Sequence, residues 1–116
     1  MLFRSAHEKL DAAAVIALLR EDARLVISPQ VGTWSGKATV ADALESGMGS
    51  LGTWRMLPTR ANGRPAAAGY LRRPGDTAYR AFALTVLHLD RGELVEMTAF
   101  ERPGLFPAFG LPLVLG

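Results

Sequence analysis

The chain contains no cysteine, so disulfides and thiolate metal ligands are excluded, and with them the disulfide-rich secreted and zinc-ribbon classes. Histidine is scarce. The two present, His7 and His88, stand in no HExxH pattern and have no clustered acids, so neither a metal nor a cofactor is expected. Long apolar runs are also missing, with no stretch near the roughly 18 residues that a membrane span needs. The opening MLFRSAHEKLDAAA lacks the basic start, continuous apolar run and cleavage site of a signal peptide. The expectation is a cytoplasmic protein with no membrane partner. A phosphate loop is absent too: GMGSLG follows a helical stretch and precedes a strand, the reverse of the order that aims a helix N-terminus at phosphate. No nucleophile-elbow motif accompanies a Ser-His-Asp set.

What the chain does have is apolar residues, 49% of its 116 positions, enough for one core and a single domain over residues 1–116. The formal charge is only +2. Arg55, Arg60, Arg64, Arg72, Arg73 and Arg80 nevertheless crowd the middle against Asp76 alone. Such a run is either a nucleic-acid stripe or a set of solvated strand and turn positions. Without interleaved stacking aromatics the second reading is preferred, and no direct nucleic-acid binding is expected.

Within residues 11–24, Ala14, Val15, Leu18 and Leu19 recur at helical spacing, predicting an amphipathic helix that ends near Glu21 or Asp22. A short strand over 25–28 stops at Pro29, and PQVGTWSGK reads as turns. A second helix is predicted over 39–48 with Thr39 as N-cap and Asp42 three residues on, closed by Gly47, Gly49 and Gly52. From Trp54 onward come strand runs separated by Asn62-Gly63, Pro74-Gly75 and Arg91-Gly92, the turn chemistry of an antiparallel meander. Helices followed by such a sheet make an α+β domain with the helices on one face.

A two-residue loop at Arg91-Gly92 predicts Leu89 opposite Leu94, His88 opposite Val95, Val86 opposite Met97 and Leu84 opposite Ala99. Phe82, Leu84, Val86, His88, Val95, Met97 and Ala99 then share the helix-facing side, and the other turns add Leu71, Gly69, Ala67, Trp54, Met56, Pro58 and Arg60. Thr85, Glu96, Thr98, Arg55 and Tyr70 fall on the wetter side. Candidate pocket-lining residues are therefore Trp34, Trp54, Met56, Arg60, Phe82, Val86, His88 and Met97, which equally suit a plain core. His88 has the side chain of a neutral-pH base, or is an exposed residue beside a turn. Arg60 is an anion anchor or a hairpin arginine. Glu96 and Glu101 have opposite parity and cannot pair in one cavity.

Particular strings carry a resemblance: AHEKLDAAAVIALLREDARL, GTWSGKATVADAL, WRMLPTRANGRPAAAGY, YRAFALTVLHLDRGELVEMTAF and LFPAFGLP. With them the chain resembles the SnoaL-like domains of the nuclear transport factor 2-like superfamily. It is most similar to those at the C-terminus of actinobacterial extracytoplasmic-function (ECF) RNA polymerase sigma factors. The resemblance implies a cone-shaped fold, a curved antiparallel sheet packed on N-terminal helices around a cavity. It also implies a non-catalytic regulatory or ligand-binding role that modulates sigma-factor-dependent transcription initiation. A small apolar ligand, sigma-factor regions or RNA polymerase would be the partners. No promoter-binding region is present, which suggests a domain excised from a longer sigma factor or a free-standing relative. The short first helix leaves homodimerisation open.

The alternative is a small stand-alone enzyme of the isomerase, polyketide cyclase or epoxide hydrolase type, with His88, Arg60 or Glu101 in acid-base or anchoring roles. Catalytic relatives carry polar groups on the last strand where this chain has Met97 and Ala99, so the reading leans away from an enzyme. After Arg102, Pro103, Pro107 and Pro112 preclude a regular strand. Phe106 and Phe109 stand one helical turn apart, as in a flap that closes the cavity or docks on a neighbour.

Overall fold

The computed structural model describes residues 16–28 and 32–115, and the elements run β1 Leu19–Ser28, β2 Gly32–Ser35, α1 Lys37–Leu51, β3 Thr53–Ala61, β4 Arg64–Arg72, β5 Tyr79–Asp90, β6 Glu93–Phe100, a 3-10 helix Pro103–Phe109 and β7 Val114–Leu115. His7, the start of the first expected helix and Pro29 lie outside the described residues. The main sheet order is β2-β1-β6-β5-β4-β3, with β7 added on β5. Every pair is antiparallel except β1 with β6, which closes the sheet by bringing the first strand alongside the last long one. The result is an α+β fold with a curved sheet and one face covered by α1.

Local chemistry accounts for the hairpins. Asn62 and Gly63 have φ of 54° and 74°, and Arg91 and Gly92 have 53° and 82°, the two positive angles of a type I′ turn. At Pro74-Gly75 the Asp76 amide donates to the Arg73 carbonyl at 2.9 Å and Gly75 has φ 93°, as a type II turn requires. The Asp76 carboxylate also accepts from the Arg73 amide, locking the turn from both sides.

Three elements, β1, β2 and α1, differ from the expectation. Residues 16–18 are helical, but β1 starts at Leu19 rather than Leu25. Leu19 pairs with Leu94, and Leu19, Ala23 and Leu25 are buried in one core, so tertiary pairing overrides the helical periodicity. Part of PQVGTWSGK is strand β2, laid antiparallel on β1 with Trp34 opposite Leu25. Helix α1 begins after Gly36, whose amide donates to the Ala23 carbonyl and whose carbonyl accepts the first helical bond from Val40. Thr39 is therefore inside the first turn and is not the N-cap. Gly47 and Gly49 lie within the helix, which ends at Gly52.

The register departs from the expected pairing at two bulges. Leu89 does face Leu94, but His88 then faces Glu96, so Val95 is the extra residue and each pair beyond is shifted by one. Met97 faces Leu87 and Ala99 faces Thr85. Between β4 and β5, Gly69 faces Ala83 while Tyr70 faces Ala81, leaving Phe82 extra. These shifts create two cores. On the α1 side Leu19, Leu25, Val40, Leu87, Leu94 and Met97 pack together with Trp34 and Leu44. On the opposite side Ala66, Ala68, Tyr70 and Leu84 pack with Phe106 of the 3-10 helix.

Candidate functional site

The α1-facing, concave wall of the sheet is built by alternation from the pairs just given. Leu25 and Ile27 of β1 face Met97 and Ala99 of β6, Thr85 and Leu87 of β5 continue the row, and Ala67 and Gly69 of β4 lead to Met56 and Pro58 of β3. Gly69 keeps this wall open beside Met56, since a Cβ there would lie 3.2 Å from the Met56 sulfur and 3.3 Å from the Ala83 carbonyl oxygen. Among the described residues the concave positions within β3 to β6 carry no carboxylate and no imidazole; Glu101, which continues the parity of Met97 and Ala99, lies just past the end of β6. Thr85 supplies a hydroxyl, and arginines stand only toward the strand ends. The wall is apolar within the strands, and its Leu25, Leu87 and Met97 positions are buried against Val40 of α1.

The sequence-derived pocket residues divide between the two faces. Trp34 and Met97 share the α1-side core, with Trp34 half-buried and Met97 buried. Trp54 and Phe82 meet edge to face, ring centroids 5.2 Å apart, and Met56 lies on the same side. Arg60 has that parity too, but it is exposed and its guanidinium donates to the Gly63 carbonyl of its own hairpin. Val86 and His88 are corrected to the outer face, because the bulge at Val95 inverts their relation to Met97. Val86 packs with the Phe106 core, and exposed His88 stands opposite Glu96, itself 3.5 Å from Arg24. Glu101 follows β6 directly, half-buried, with its amide donating to the Ser28 carbonyl at 3.0 Å. It is not brought together with His88.

Wall residues that the sequence reading left out are Leu25, Ile27, Leu87 and Thr85. Thr85 and Leu87 were hidden by the bulge, which no residue at 94–96 announces, and Leu25 and Ile27 by the parallel pairing of β1 with β6.

The tail is also positioned. Phe106 is fully buried on the outer face, edge to face with Tyr70 at 5.2 Å, and the Tyr70 hydroxyl donates to the Pro112 carbonyl at 2.7 Å. Burial pushes the Tyr70 phenol above its ordinary value. Ala81 donates to the Leu113 carbonyl, and β7 pairs Tyr79 and Arg80. Phe106 thus packs away from the concave wall, while Phe109, Leu113 and Val114 stay exposed.

Among solved structures, a nuclear transport factor 2-like protein of unknown function from Burkholderia xenovorans superimposes with a TM-score of 0.63, covering 93% of this chain and 87% of that one at 15% identity. The chain has the nuclear transport factor 2-like fold. An epoxide hydrolase from Mycobacterium tuberculosis, described as LEH-like, matches this nuclear transport factor 2-like domain with a TM-score of 0.63, over 87% of this chain and 77% of that one at 19% identity. In sequence, the domain is 32% identical over 110 residues to the ECF RNA polymerase sigma factor SigG of Mycobacterium tuberculosis, covering 93% of this chain. It spans 29% of the length of that curated relative. This likeness is consistent with the SnoaL-like kind of nuclear transport factor 2-like domain. No family model matches the chain. Among the described residues no helix is long and apolar enough to cross a membrane.

Proposed function

We propose that this domain is a non-catalytic binding domain that modulates transcription initiation by an ECF sigma factor, with the concave wall as the seat of a small apolar ligand. The observation that carries the reading is the composition of that wall. Met97, Ala99, Leu87 and Met56 occupy it, while Glu96 and His88 point to the other side of the sheet. Proton transfer needs an acid or base within hydrogen-bond reach of the substrate, about 2.6–3.2 Å, and burial of apolar surface does not supply one. The sequence likeness to SigG over nearly the whole chain supports the regulatory half of the proposal. Partners would be the sigma-factor regions or the polymerase, with a second copy of the chain as a further candidate.

Two measurements test it. The 116-residue chain is titrated against the promoter- and polymerase-binding regions of an ECF sigma factor, and saturable association is expected. It is also offered a panel of steroids, epoxides and polyketides. The reading predicts quenching or enhancement of tryptophan fluorescence by an apolar member and no turnover. Turnover that disappears in Glu101→Gln or His88→Ala would replace it with the enzymatic alternative.

A further inference from the structure

The end of the sheet where β3 begins, β4 ends and β5 begins carries four exposed arginines, Arg55, Arg72, Arg73 and Arg80. Three are laid on aromatic rings. Arg55 and Arg72 sit over Tyr79 at 5.9 and 5.3 Å from its centroid, and Arg73 sits over Phe82 at 5.7 Å. A guanidinium stacked in this way loses freedom before any partner arrives and still presents its N–H edge outward. None of the four forms an ion pair with a carboxylate among the described residues, whereas Arg20 and Arg24 do. The local acid, Asp76, is engaged with the Arg73 backbone amide.

Between the stacks lies a hollow of about 250 Å³ lined by Gly52, Thr53, Arg72, Arg73, Pro74, Gly75 and Asp76. By strand alternation Arg55, Arg72 and Tyr79 belong to the outer side of the sheet, and Arg73 and Phe82 to the concave side. The charge therefore wraps the strand end around the rigid turn at residues 73–76. Three preorganised forks, with Arg80 beside them, spread over such a corner and exceed what one carboxylate or phosphate group would engage.

We propose that this corner is a docking site for an acidic segment of a protein partner, whose Asp or Glu carboxylates take the guanidinium edges as bidentate pairs. Charge complementarity and the vacant hydrogen-bond edges argue for the acidic partner. A nucleic acid fits less well: the Tyr79 and Phe82 rings already carry stacked arginines, which compete with base stacking, and the chain's net charge is only +2. The inference stands apart from the cavity reading, because a domain whose concave wall binds nothing would still bind at this corner.

The test is fluorescence anisotropy of a fluorescein-labelled hexaglutamate peptide titrated with the full chain at about 50 mM NaCl, where screening is weak. A hexaglutamine peptide and a single-stranded thymidine dodecamer serve as comparison probes. Hexaglutamate should bind and hexaglutamine should not. Arg72→Gln with Arg73→Gln should weaken hexaglutamate binding by about tenfold or more, while Arg64→Gln with Arg102→Gln, an equal loss of charge elsewhere, should change it less than about twofold. Arg72→Lys with Arg73→Lys keeps the charge but not the fork, and should weaken binding by about threefold; it carries the test if circular dichroism shows the glutamine pair unfolded. An equal loss in the control pair, full affinity in both corner variants, no hexaglutamate binding, or tighter binding of the thymidine strand would each overturn the proposal.

Discussion

Replacing Phe106 with alanine should destabilise the domain by about 3–5 kcal/mol, the range for truncating a buried phenylalanine. The side chain is fully buried and its ring stands at 87° to Tyr70 with 5.2 Å between centroids. Burial of roughly 150–200 Å² at about 25 cal/mol per Å² corresponds to about 4–5 kcal/mol for the whole residue, of which the alanine left behind keeps roughly a third. The aromatic pair adds about 0.5–1.5 kcal/mol. For a domain of this size about 1 kcal/mol moves Tm by roughly 4 °C or more, so a fall beyond about 10 °C is expected in thermal unfolding followed by circular dichroism. Trp34 and Trp54 lie on the other face of the sheet, so the native-state tryptophan emission should stay put. A Tm shift below about 3 °C, or a native emission shift that marks Phe106 as a cover over the concave wall, would refute the outer-face placement of the tail.

Gly52→Ala should cost about 2 kcal/mol or more in urea unfolding, because Gly52 has φ 148° and an added Cβ would lie too close to the Arg72 carbonyl oxygen. Arg91→Asn should raise stability by several tenths of a kcal/mol, since Arg91 holds φ 53° at the first position of a type I′ turn where asparagine is at ease. Tyr70 sets a pH dependence: burial holds its phenol above the ordinary tyrosine value of about 10, so its contribution is intact below about pH 10 and is lost as pH rises through the folded value. The urea midpoint should therefore fall above pH 10 more steeply in the wild type than in Tyr70→Phe, and parallel curves would contradict the assignment.

How much of this was legible in the sequence depended on whether the deciding interactions were local. Asn62-Gly63, Pro74-Gly75 and Arg91-Gly92 require particular backbone angles within a few residues, so the four-strand meander could be read directly. The faces could not. The bulge at Val95 is seen only in the pairing of β6 with β5, and it carried Val86 and His88 across the sheet. Phe82 nevertheless shares the Met97 side as expected, because its own bulge against β4 offsets the first. The tail shows the same division. Its prolines ruled out a regular ladder, and a 3-10 helix resulted, but its seat on Tyr70 is a contact between residues 36 apart in sequence, 106 − 70, which no local pattern encodes.

The most direct test of the central claim is run-off transcription by RNA polymerase with an ECF sigma factor whose own C-terminal domain is removed, compared with the same factor carrying this domain in its place. The account predicts a change of about fivefold or more in initiation on restoring the domain, within the usual range of coupling between distinct sites. Equal transcript yields from the two forms, with both factors folded and bound to polymerase, would contradict it.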